Sequence, residues 1–243
     1  MVGDPASARA GISIVALDEE GTQHEHVAKA GDDPRTIAAR KRRFIMRERL
    51  INAVLAVCAE KQHLPFVVDD VIAQAGVSRG TFYKYFDSLE QLITLVGDRL
   101  AERFTRQSII VSEGIRQPIL RTAIGLYRLL EQARIDRSWG AFVSRMSLAT
   151  NDNFIWTFAA DEYARGREAG DYSFANIDAV ADVTFGAIVS TIRRVSIGGC
   201  DRPYIEAAIF HILLSIGGTP SAAREAVAFA ASLVSISDKD CLS

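Results

Sequence analysis

At 243 residues, with 49% of positions hydrophobic, the chain can fill one large domain or two small ones around a buried core. A formal net charge of −2 argues against a protein that coats polyanions generally, and three widely spaced cysteines (Cys58, Cys200, Cys241) argue against a disulfide frame or a CxxC zinc site. No stretch of 18 or more apolar residues and no signal-peptide pattern occurs, so the cytoplasm is the expected setting, with no membrane partner.

Met1 to Thr36 is rich in Gly, Ala, Asp and Glu, and only Ile12 to Leu17 is apolar. A flexible acidic tail over 1–36, dispensable for folding, is expected. His24-Glu25-His26 has no further ligand nearby, so neither a metal site nor any cofactor is predicted. From Arg40 to Arg49 there are six basic residues (Arg40, Lys41, Arg42, Arg43, Arg47, Arg49) against one acid, Glu48. In an acidic protein such a local patch fits contact with DNA better than general coating, although a solvated helix end has the same composition. The first helix is expected from Ile37 to Gln62, with Phe44, Ile51, Val54, Leu55 and Cys58 on one stripe, which makes Cys58 a core residue. Pro65 breaks the chain after it.

Val68 to Phe86, VDDVIAQAGVSRGTFYKYF, predicts two short helices around a tight turn. Val68, Val71 and Ile72 give the first an apolar face, and Gly76 can adopt the left-handed conformation that ends a helix. Ser78 is a good N-cap for the second helix. At about 100° per residue Phe82 and Phe86 share one side of it. Gly80, Thr81 and Lys84 lie roughly opposite, Tyr83 and Tyr85 flank them, and Arg79 sits in the first turn. An apolar side for docking and an outer side of Arg, Thr, Tyr and Lys suit a helix lying in a DNA major groove. An amphipathic hairpin with a solvated face has the same pattern.

The context favours DNA. LINAVLAVCAEKQ (Leu50 to Gln62) followed by DVIAQAGVSRGTFYKYFDSLE (Asp70 to Glu90) resembles the three-helix DNA-binding head and the start of the fourth helix of the TetR family of transcriptional regulators. The resemblance covers roughly residues 40 to 100; beyond it the chain is similar only in architecture. It implies an all-α fold, with a helix-turn-helix head over 37–87 joined by a long fourth helix to a ligand-binding and dimerisation domain over 88–243. Phosphate or base contacts are expected from Arg42, Arg43, Ser78, Arg79, Gly80, Thr81, Tyr83, Lys84 and Tyr85. There are departures. Gln62 stands where Gly is usual, and Phe66 and Val67 stand where Thr or Ser caps the second helix and touches a phosphate. Ile72 replaces a small Ala, Tyr85 a frequent His and Leu89 a common Lys. Together they imply fewer backbone contacts than usual.

Asp87 or Ser88 caps the fourth helix, with Glu90 and Gln91 placed for a capping box. That helix carries Leu92, Ile93, Leu95, Val96, Leu100 and Phe104 and links the two domains. From Gly114 onward only helical periodicity appears, with helices predicted over 118–134, 136–148, 151–168, 176–197 and 201–216. A last one is capped by Thr219-Pro220 and ends near Ile236. Phe104, Tyr127, Trp139, Phe142, Met146, Trp156 and Phe158 could line an apolar pocket, with plain core packing as the alternative. The resemblance implies a small, often lipophilic inducer there. It also implies a dimer built by the two apolar helices 176–197 and 201–216, with Val183, Ala187, Ser190, Ile209 and Leu213 at the interface.

The expected protein is a homodimeric repressor that reads a near-palindromic double-stranded operator and is released by a small molecule. The rivals are a DNA-binding regulator without such a ligand and an all-helical enzyme. For the enzyme no catalytic triad and no phosphate loop is found: His63 precedes the second helix, and His211 lies on an apolar helix where a packed histidine is commoner than a base.

Overall fold

A computed structural model describes residues 33–61, 66–146 and 154–240. Residues 1–32, with Ile12 to Leu17 and the His24-Glu25-His26 triplet, lie outside the described residues, as do His63 and Pro65. By its contacts the chain divides into two compact units, Met1–Glu48 and Arg49–Ser243.

Among the described residues there are ten helices and no strand. They are α1 (Pro34–Glu60), α2 (Val68–Ala75), α3 (Arg79–Phe82), α4 (Leu89–Val111), α5 (Pro118–Ile135), α6 (Arg137–Met146), α7 (Phe154–Ala169), α8 (Ile177–Ile197), α9 (Arg202–Ser215) and α10 (Pro220–Asp240). The all-α expectation holds. α1 begins three residues before the expected Ile37, because Asp33 caps it. The Asp33 carboxylate accepts the Arg35 N–H at 3.1 Å and its carbonyl takes those of Thr36 and Ile37. The residues expected to end the tail are thus helical from Pro34. α10 runs past Ile236 to Asp240.

Most other starts follow from short polar caps written in the sequence. Ser88 accepts the Gln91 N–H, Asp136 that of Trp139, Asn176 that of Ala179, and Asp201 that of Tyr204, at 2.9–3.1 Å. The reciprocal half of the α4 box comes from Gln91, whose Oε1 accepts the Asp87 N–H at 2.7 Å. α5 differs: Gln117 offers no side-chain cap, and Asp171, from the segment after α7, accepts the Ile119 N–H at 3.2 Å.

In the second unit, α5 is the central helix and packs against α4 and α6 through α10. It is buried almost all round, including Thr122 and Glu131. α6 lies tight against α5 and α8. At Gly140 a Cβ would stand 3.1 Å from both Ala133 Cβ and Ser196 Cβ and overlap the Ser196 hydroxyl. Two buried carboxylates tie the helices together. Glu131 of α5 accepts bonds from Arg134 at 2.7 Å and from Arg202 of α9 at 3.0 and 3.2 Å. Glu162 of α7 takes a two-pronged grip from Arg121 of α5 at 2.8–3.1 Å. A carboxylate out of water needs such partners to stay charged. Burial pushes the Glu131 carboxyl up, but the hydrogen bonds and charges of Arg134 and Arg202 outweigh it and hold it below the ordinary range.

Candidate nucleic-acid interface and helical body

The helix-turn-helix is assembled by a few local bonds. Val67, which has no side-chain acceptor, stands at the N-cap of α2, and only the reciprocal half of a capping box forms: its N–H donates to Asp70 Oδ2 at 2.8 Å. Asp70 Oδ1 accepts the Lys61 ammonium at 2.7 Å. Bonds from Lys61 and from the Val67 N–H hold the Asp70 carboxyl below its usual range. Gly76, at φ +60° and ψ +44°, ends α2: its N–H donates to Ala73 O, and that of Val77 to Ile72 O.

Ser78 then caps α3, its Oγ accepting the Thr81 N–H at 3.1 Å and sharing a 2.9 Å bond with the Thr81 hydroxyl. The regular helix is only Arg79–Phe82, shorter than the sequence pattern suggests. Turn bonds carry the same rotation onward: Lys84 N–H to Thr81 O, Tyr85 N–H to Phe82 O and Phe86 N–H to Phe82 O. Phe82 and Phe86 are therefore both buried, their ring centroids 6.0 Å apart.

The outer side is arranged much as its spacing suggests. Ser78, Arg79, Gly80, Tyr83 and Lys84 are exposed, while Thr81 and Tyr85 are half-buried. The two tyrosines are therefore not equivalent. Tyr83 packs edge-on to Phe82 at 5.3 Å and keeps 49% of its surface. Arg79 lies 3.5 Å from Asp69 of α2, a partner not anticipated from sequence although Asp69 opens the helix next door. Arg42 and Arg43 are exposed on the part of α1 that lies in the first unit, where Arg42 Nε bonds Ala38 O at 3.2 Å.

In the helical body, the sequence-predicted pocket residues are only partly brought together. Phe104 of α4 faces Trp139 of α6 at 6.3 Å, and Phe142 is buried on the same helix. Tyr127 is buried elsewhere, with its hydroxyl near Glu206, Arg202 and Glu131 at the α5–α9 contact. The side chains of Met146, Trp156 and Phe158 lie outside the described residues.

The expected interface residues divide. Val183, Ala187 and Ser190 are exposed on α8, Val183 at 64%. Ile209 and Leu213 are not on the surface at all: both are 0% exposed within this single chain. α9 is apolar on most sides, and the face that carries them turns into the chain's own core. The exposed stripe of α9 is instead Ala207, His211 and Ser215. His211, expected as a packed histidine, is exposed beside the Phe210 ring at 5.4 Å.

No helix among the described residues is long and apolar enough to cross a membrane, and none of their His, Cys, Asp and Glu side chains form a group of three placed to hold a metal ion.

The family model described as bacterial regulatory proteins, tetR family, matches residues 58–96, from the end of α1 through α2 and α3 into α4. Solved structures match over most of the chain. RolR, solved in complex with the ligand resorcinol, is 22% identical over 77% of this chain and 95% of its own, with a TM-score of 0.54. The TetR family protein CprB from S. coelicolor A3(2) is 16% identical over 79% of this chain and 98% of its own, with a TM-score of 0.58. TylP, a TetR regulator from Streptomyces fradiae, is 17% identical over 81% and 98%, with a TM-score of 0.54. No curated protein matches the chain. The chain thus has the all-helical fold of tetR-family regulators, and its helix-turn-helix matches that family's sequence model.

Proposed function

We propose that this chain is a homodimeric, sequence-specific transcriptional regulator, a repressor released from a near-palindromic operator by a small, largely apolar molecule bound in its helical body. The observation that carries the reading is the outer side of α3 and the following turn. There Arg79, Gly80, Tyr83 and Lys84 are exposed over the buried Phe82–Phe86 pair, inside the segment that matches the family model. Side chains near a recognition helix's N-terminus reach base edges, and flanking hydroxyls and amines hold phosphates. The exposed face of α8, with Val183, Gly186, Ala187 and Ser190, supports self-association, since small residues let helices approach closely. The likeness to RolR with resorcinol supports a small-molecule effector. The setting is the cytoplasm, where such a regulator meets DNA.

Selection of bound duplexes from a randomised DNA pool with the full-length chain tests this. Enrichment of a two-fold-related pair of half-sites, one or more helical turns apart, is the expected result. A pool that stays random at moderate salt would overturn it. A regulator without a small-molecule ligand is the second reading, favoured by the near-complete burial of Tyr127 and Phe142. A thermal-shift screen of small phenols and lactones against the full chain separates the two.

A further inference from the structure

Arg145 stands near the end of α6 and reaches out of the helical body. Its Nη2 donates to the backbone carbonyl of Lys61 at 2.6 Å. Lys61 directly follows α1, so the bond lands where a helix leaves its last carbonyls without helical partners, at the negative end of its dipole. The same guanidinium lies 5.7 Å from the centre of the Phe66 ring, within cation–π range. Cys58, one turn back in α1, is its third neighbour. Burial outweighs the opposing charge and hydrogen bond of Arg145 and leaves that thiol raised to about 11.

The contact is passed on. Lys61 binds Asp70 at 2.7 Å, and Asp70 caps α2 through the Val67 N–H. One α6 side chain thus touches the end of α1 and Phe66, two positions before α2, and Lys61 extends the link into α2 itself. The Phe66 ring lies under Arg145.

We propose that Arg145 is a positioning residue that locks the helix-turn-helix to α6, so that a displacement of α6 reaches α2 and α3 directly, alongside the route through α4. Its consequence for DNA rests on the regulatory reading above; the contact and its test do not. α6 is only ten residues long and also carries Trp139 and Phe142. At Gly140 an added methyl would overlap the Ser196 hydroxyl and crowd Ala133 and Ser196 at 3.1 Å, so either these neighbours or α6 must give by a few tenths of an ångström. A charge-assisted bond is short and directional, so a shift of that kind is felt at Lys61.

The test is amide hydrogen exchange on the full-length chain, with neither DNA nor effector present, so its failure is distinguishable from failure of the regulatory reading. Gly140→Ala serves as the wedge, and Arg145→Gln removes the lock. The expected result is that either change alone speeds exchange across residues 66–86 about tenfold, one factor of ten being about 1.4 kcal/mol, while α9 and α10 stay within twofold. Adding the wedge to Arg145→Gln then changes residues 66–86 by less than twofold. Phe66→Leu, made outside the helical body, gives the same local loss should the wedge variant fold poorly. Unchanged exchange at 66–86 in both Arg145→Gln and Phe66→Leu would overturn the proposal. So would a wedge that speeds exchange within α6 yet leaves 66–86 unchanged, or a wedge effect that persists in full without Arg145.

Discussion

Arg79 and Asp69 face each other across the helix-turn-helix, Nη2 to Oδ1 at 3.5 Å, with 62% and 63% of their side chains exposed. Under the proposed function, the side chain best shaped for a bidentate contact to guanine would have to leave a carboxylate before reading a base. An exposed pair of this kind is worth only about 0–1 kcal/mol, so it biases the arginine without holding it.

Arg79→Ala is expected to flatten discrimination at one base pair per half-site by about 1–3 kcal/mol. Asp69→Asn should instead tighten binding to sites that carry the base Arg79 reads by a small factor, about fivefold at most for a pair worth under 1 kcal/mol. Tyr83→Phe should weaken all sequences alike. Titrations against single-base variants of the selected operator at fixed salt measure all three. A uniform loss in Arg79→Ala would make Arg79 a phosphate anchor.

Gly76 is a place where the head depends on glycine. A side chain at φ +60° is strained, and its Cβ would stand 2.9 Å from the Arg49 guanidinium. Gly76→Ala should cost about 1–2 kcal/mol, the penalty of left-handed backbone for an L-residue. Urea unfolding followed by circular dichroism would show it as a lower midpoint at an unchanged slope.

Glu131 sets an acid limit for the body. Its folded carboxyl titrates below the ordinary value of 4.5, so folding is stabilised above that value and the contribution is lost as pH falls through the lower folded value. Glu131→Gln should therefore flatten the decline in melting temperature below pH 4.5. Arg202→Ala at neutral pH should cost about 1–3 kcal/mol. That is less than for a fully buried pair, because Arg202 is 43% exposed and Arg134 still holds the carboxylate. A pH–stability curve for Glu131→Gln parallel to that of the native chain would show that Glu131 is not the group responsible.

The surface of α8 and the core face of α9 make opposite predictions. Val183→Asp should shift the chain toward monomer in sedimentation at micromolar concentration and lower the melting temperature only by what association itself contributes. Leu213→Ala should cost about 2–5 kcal/mol through the cavity it leaves, and leave association intact in the folded fraction. A dimer that survives Val183→Asp unchanged would move the interface off this face.

Local rules made the helices and the helix-turn-helix legible before any coordinates. The caps at Ser78 and Ser88, the helix starts at Asp136, Asn176 and Asp201, the Gly76 stop, and the Phe82–Phe86 side each depend on residues within a few positions of one another. Sequence spacing therefore determines them. What only the tertiary structure decided lies between segments distant in sequence. α9 is apolar on most sides, so its periodicity points nowhere, and only packing against α5, α8 and α10 turns Ile209 and Leu213 inward. The cap of α5 comes from Asp171, 52 positions away from Ile119. Glu131 and Glu162 look like surface acids until α9 and α5 bring Arg202 and Arg121 to them. Phe66, as a sequence feature, is only a missing hydroxyl. It becomes a contact surface because α6, some eighty positions later, places Arg145 over its ring.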